Sequence, residues 1–170
     1  MIVVADTSPL IALINLGEIE VLPRLFNTVL IPQAVLQELG DLRRPAAVRV
    51  FAGNPPVWIE VHEPQLIEAI PGLDPGEEAA LALALERHAD FLLIDELRGR
   101  RAAIDRHMRV AGTIGVLERA AEQNLLDLQT TFERLRATDF WIDPSLLDQS
   151  LSAFRQRRER EKGRDRGPGR

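Results

Sequence analysis

The chain has 170 residues, 45% hydrophobic and 28% charged, with a net charge of −5. That length and balance fit one globular domain with a sizeable core. The absence of cysteine excludes disulfides and thiolate metal sites, and no apolar run reaches the ~18 residues of a membrane span.

The charge is unevenly spread. Residues 155–170 hold eight basic and three acidic side chains, a net of +5, which leaves −10 on the rest. Such a tail suits a phosphate backbone or is simply a solvated charge run. The single lysine, Lys162, lies in that tail. This excludes a P-loop, whose lysine must reach the phosphates, and GxxxxGK[ST] is also missing. It argues equally against aspartyl-phosphate enzymes that need a core lysine. GxSxG and HExxH are absent, and His62, His88 and His107 lack ligand spacing. The N-terminal apolar run has no basic flank and is split by Asp6, so no signal peptide is expected and the location is expected to be cytoplasmic.

In chain order, Ile2–Ala5 is a short apolar, β-branched run suited to a strand buried on both faces. Asp6 ends it. Pro9 fits a first helical turn, Leu10 to Leu16 supply an apolar helix, and Gly17 closes it. A carboxylate thus stands at the carboxyl end of a buried strand, where open α/β sheets bind ligands. The plainer reading makes Asp6 a turn or capping acid.

Glu18–Phe26 reads as a short helix and Thr28–Ile31 as a second strand. Pro32 opens a helix through Leu39 that carries Glu38, with Gly40 as its stop. Pro45–Ala52 reads as helix and Val57–Val61 as a third strand. Glu63–Leu73 is irregular. Asp74, Pro75 and Glu77 then fit N-cap, N1 and N3 of a deeply packed helix.

Phe91–Ile94 is another buried strand and stops at Asp95-Glu96, repeating the opening pattern. Leu97–Met108 is a basic helix, Val110-Ala111 a very short strand, and Gly112-Thr113 leads into another helix. Leu125–Leu135 contains a further helix. Asp143-Pro144 starts the last one, with fraying into disorder expected from Gln156. The alternation predicts a three-layer α/β/α domain over residues 1–154, with a mostly parallel central sheet, followed by a basic, disordered tail over 155–170.

If the strands before Asp6 and Asp95 are neighbours, two carboxylates share one sheet edge. Glu38 and Glu77 or Glu78 sit on helices that can lean over it. Crowded carboxylates repel, and the usual relief is a hard cation on oxygen ligands, Mg²⁺ or Mn²⁺. Such a site suits phosphodiester hydrolysis, and the arginines after Asp95, Arg98 and Arg100 among them, are placed to hold phosphate. Each residue also has a plainer role: Glu38 as a solvated helix acid, Glu77 as half of a capping box, Asp95 as a cap, and Arg100 as partner to a helix acid.

Five stretches carry a resemblance: Val4-Ala5-Asp6-Thr7-Ser8-Pro9-Leu10, Ile31-Pro32 to Glu38, Leu73-Asp74-Pro75-Gly76-Glu77, Leu93-Ile94-Asp95-Glu96 with Gly99-Arg100, and Gly112-Thr113-Ile114-Gly115-Val116-Leu117. Together they resemble a PIN domain of the VapC-like group, within it the prokaryotic subfamily with GE and DExxGR motifs, across roughly Ile2 to Leu151. The resemblance implies Mg²⁺- or Mn²⁺-dependent cleavage of single-stranded RNA. It makes Asp6, Glu38, Glu77 and Asp95 the catalytic, metal-holding acids, with Glu78 the competitor for the third place. It puts Thr7, Ser8, Arg98, Arg100 and Thr113 on the substrate side. An acid or asparagine is common where Thr113 stands, so this site is lighter than usual. In toxin-type relatives an antitoxin protein is the partner, and PIN relatives often form homodimers; no membrane association is implied. The competing readings are a non-catalytic PIN-like module that binds RNA or protein, and a phosphatase using the same metal site on small substrates.

Overall fold

The computed structural model describes the backbone of residues 1–165 and the side chains of 1–161. The chain divides into two compact units, residues 1–116 and 117–170.

The first unit holds a five-stranded sheet: β1 (Val3–Ala5), β2 (Val29–Ile31), β3 (Ile59–Val61), β4 (Phe91–Leu93) and β5 (Val110–Ala111). Its order is β3-β2-β1-β4-β5 and every pairing is parallel. The expectation of a mostly parallel sheet flanked by helices holds. Val3, Val4, Ala5, Leu92 and Leu93 are fully buried, as a central parallel sheet requires. Ile2 departs from the expected strand. It is 44% exposed and lies before β1, exchanging backbone and side-chain hydrogen bonds with Asp90.

The chain builds the sheet outward from β1 through β2 to β3, then returns to the other side of β1 for β4 and β5. The order therefore reverses between β1 and β4, the point at which parallel sheets open a crevice at their carboxyl ends. Ala5 pairs with Leu93 in register, and the Asp6 amide donates to the Leu93 carbonyl at 2.9 Å. Asp6 and Asp95 follow these two strands directly.

Six helices begin in this unit before its last residues: α1 (Thr7–Leu16), α2 (Val21–Phe26), α3 (Gln33–Leu39), α4 (Ala46–Gly53), α5 (Pro75–Glu86) and α6 (Leu97–Asp105). Gly17 ends α1 in the left-handed region (φ 70°), returning its N–H to the carbonyls of Leu13 and Ile14. Two of the three isolated histidines have a structural explanation. His88 and His107 sit just beyond α5 and α6 with φ of 49° and 61°, closing those helices. For this reason α6 stops at Asp105, short of the expected Met108.

α7 (Thr113–Glu122) starts in the first unit and continues into the second, which also holds α8 (Leu128–Arg136) and α9 (Pro144–Asp165). Leu128, Phe132, Leu135 and Leu147 are its buried apolar residues on α8 and α9. The expected fraying from Gln156 is not observed over residues 156–165, which continue α9. Arg155, Arg157 and Arg158 find local partners in Gln129, Glu122 and Asn124, so charge that looked unpartnered in the sequence is anchored. The last part of the expected tail, residues 166–170, lies outside the described residues. Among the described residues no helix is long and apolar enough to cross a membrane.

Candidate active site

Asp6 is 2% exposed, and its Oδ1 has no hydrogen-bond partner. Burying a carboxylate with an unpaired oxygen is costly, and its pKa registers the cost. It is pushed up to about 7, chiefly by burial, with further increments from the charges of Asp74, Glu77 and Glu38, against the Thr7 amide that favours the anion. Three other acids are therefore close enough to act on Asp6.

Glu38 projects from α3, and its Oε2 accepts from the buried Thr7 hydroxyl at 2.6 Å. The Glu38 carboxyl packs on Gly76, where a Cβ would overlap Oε1 and stand 2.8 Å from Cδ and Oε2. This close approach accounts for the glycine of the Gly76-Glu77 pair: any side chain there would displace Glu38.

Glu77, 4% exposed, is the N3 residue of a complete capping box. Its Oε2 accepts from the Asp74 amide at 2.9 Å, and Asp74 Oδ1 accepts from the Glu77 amide at 2.8 Å. Burial raises its pKa, and Asp74, Glu96 and Glu38 add to the rise. Glu78, one residue on, turns to the preceding loop and accepts from the Ile70 amide at 2.7 Å. The two neighbouring glutamates thus face different surroundings, Glu77 the acids and Glu78 the loop.

Asp95 has both oxygens occupied. Oδ1 accepts from the Thr113 amide and Oδ2 from the Thr113 hydroxyl, each at 2.7 Å. Burial raises its pKa, while Thr113 and the Arg100 charge hold it down. The charges that act on it are those of Arg100 and Glu96. Asp6 thus feels the charges of Glu38, Asp74 and Glu77, and Asp95 those of Arg100 and Glu96, while Glu96 also acts on Glu77.

Of the residues expected on the substrate side, Thr7 and Thr113 are buried and donate to Glu38 and Asp95. Arg100 donates to the Ile94 carbonyl at 3.0 Å. Arg98 is exposed and lies over Gly72, and Ser8 is half-buried on the first turn of α1. Sequence reasoning missed the charges of Asp74 and Glu96. Asp74 was visible only as an N-cap, and nothing in its spacing placed it beside Asp6.

The donor set suits a hard cation: carboxylate oxygens only, one of them buried and unpaired, under mutual repulsion that a cation would relieve. Among the described residues no three such groups stand together as a ready ligand cage.

Comparison with known proteins places this geometry. The profile of DUF3368, a PIN domain family, matches residues 2–156. Among solved structures, a PilT N-terminus domain protein from the hyperthermophilic archaeon Sulfolobus solfataricus superposes with a TM-score of 0.50 at 13% identity, covering 68% of this chain and 90% of that one. At that identity the likeness shows the fold alone. Comparison with curated proteins finds no match. PIN domains are generally nucleases that use divalent metal ions. With a five-stranded parallel sheet, a buried acid at its switch point and a profile match over most of its length, the chain belongs to the PIN domain family.

Proposed function

We propose that this PIN domain is a metal-dependent endoribonuclease that hydrolyses phosphodiester bonds of single-stranded RNA. The observation that carries the reading is Asp6, a buried carboxylate at the switch point with an unpartnered oxygen and three acids acting on it. Its raised pKa means that the metal-free protein keeps it partly protonated at neutral pH. That is a poor arrangement for a purely structural acid, and it suits one awaiting a cation.

Asp6 would hold Mg²⁺ or Mn²⁺, and Glu38, Glu77 and Asp95 are the acids whose charge the ion offsets. Once bound, a divalent cation supplies a Lewis acid for the phosphate and a more acidic water. The protein's own part is positioning. The Thr7 hydroxyl orients Glu38, the capping box orients Glu77, and Thr113 orients Asp95 through two bonds. Arg98, exposed at the start of α6, is a cation available to a phosphate backbone. A toxin-type role with an antitoxin protein partner extends the same reading.

The test is cleavage of a single-stranded RNA by wild type and Asp6→Asn, with Mn²⁺ and with EDTA. Wild type with Mn²⁺ is expected to cut, and the other three combinations are not. Wild-type-level cleavage by Asp6→Asn would remove Asp6 from the chemistry. RNA binding without turnover across a broad substrate set would make the protein a binding module instead.

A further inference from the structure

We propose that Arg100 is a positioning residue for Asp95, the guanidinium half of a bracket formed by α6, the end of β4 and the turn before α7. Its position in the sequence suggested an RNA contact; its place in the fold points inward.

Ile94, fully buried, is the residue after β4. Its amide donates to the Ala111 carbonyl at 2.9 Å, continuing the sheet toward β5. Its carbonyl accepts from Arg100 Nη1 at 3.0 Å. A buried carbonyl left without a donor is costly, so this contact fixes the backbone that immediately precedes Asp95. The carboxylate beyond it is gripped from the other side by the Thr113 amide and hydroxyl. Asp95 is thus held by its backbone from α6 and by its oxygens from α7.

The two grips meet at Gly112. A Cβ there would stand 2.7 Å from Asp95 Oδ1, 3.0 Å from Arg100 Nη1 and 3.6 Å from the Ile94 carbonyl oxygen. Three groups from two segments, the end of β4 and α6, converge on one Cα that has no side chain. Arg100 is also half-buried, unlike the exposed Arg98 and Arg101 on the same helix. The flat guanidinium suits the slot, since one edge can serve the carbonyl while its charge lies beside the carboxylate.

The assignment rests on the nuclease reading only for what Asp95 does, so its test has an arm that needs no activity. In metal-free protein, amide hydrogen exchange at Thr113 is followed by NMR in wild type, Arg100→Gln and Arg100→Lys, with the β1 amides as an internal reference. Arg100→Gln is expected to speed Thr113 exchange by roughly tenfold or more relative to that reference. Arg100→Lys, which keeps a cation and a donor, should stay within about threefold of wild type. In the activity arm, Arg100→Gln should lower the single-turnover cleavage rate with saturating RNA and leave RNA affinity unchanged. Unchanged Thr113 exchange in Arg100→Gln overturns the bracket; weaker RNA binding with an unchanged cleavage rate returns Arg100 to the substrate. If Arg100→Gln does not fold, Arg100→Met, which keeps the apolar stem and removes the donor to the Ile94 carbonyl, decides, and unchanged Thr113 exchange there is equally fatal. If wild type cuts no RNA, the nuclease reading fails alone and the exchange arm still judges the bracket.

Discussion

Replacing Asp6 by Asn should make the metal-free protein more stable, by an amount that depends on pH. The Asp6 carboxyl moves from 3.8 to about 7 on folding, mainly through burial. A raised acid pKa means that the native state holds a proton which the unfolded chain has already released. Stability therefore falls as pH rises from about 4 to about 7, and the full penalty is present above the native pKa. Three pH units at 1.36 kcal/mol each give a penalty of ~4 kcal/mol at pH 8. Asn carries no charge to bury, so Asp6→Asn should recover up to ~4 kcal/mol at pH 8 and little at pH 4. In thermal unfolding that corresponds to a rise of roughly 8–16 °C. The assay is urea and thermal unfolding in EDTA from pH 4 to pH 8, followed by circular dichroism. Added Mn²⁺ should stabilise wild type at pH 8 and not Asp6→Asn, through binding to the native state. If Asp6→Asn is no more stable than wild type at pH 8, or gains equally at pH 4 and pH 8, the buried, unpaired carboxylate is not the source of the penalty.

Thr7→Val keeps the shape of a buried side chain and removes the donor to Glu38, so it should cost about 1–3 kcal/mol, slow RNA cleavage and leave RNA affinity intact, while Thr7→Ser restores the rate. Glu77→Gln should cut turnover strongly at small cost in stability, since Gln can still close the capping box; Glu78→Gln should be nearly silent in turnover and stability, since Gln can still accept from the Ile70 amide, and the reverse pattern would exchange the roles of the two glutamates. Among the described residues, truncation after Phe154 removes polar pairs to Gln129, Glu122 and Asn124 and the stacking of Arg158 on Phe154, with no buried apolar side chain, so the fold should survive. If those arginines also hold RNA, truncation weakens binding more at low salt than at high salt, and equal affinity at low salt makes them bystanders.

What the sequence determined by itself is local. Short apolar runs before Asp6 and Asp95, and the Asp74-Pro75-Gly76-Glu77 start of α5, depend on neighbours a few residues away, and the strands and the helix start stand within a residue of where periodicity and capping rules put them. The parallel sheet followed from the alternation of strands with helices, though the chain could not show that β4 would return to the far side of β1. Tertiary structure decided what long-range contact decides. Periodicity could not separate Glu77 from Glu78, because α5 is apolar on nearly every side; local capping favoured Glu77, and the fold added that Glu78 turns away to the Ile70 amide. Thr7, Thr113 and Arg100 read as groups open to substrate, but the fold turned them toward Glu38, Asp95 and the Ile94 carbonyl. The glycines at 76 and 112 had no visible purpose until Glu38 and Asp95, distant in sequence, came to rest against them. A charge's partner and a missing side chain's purpose are set by which segments meet, and that is a property of the folded chain rather than of any local stretch of it.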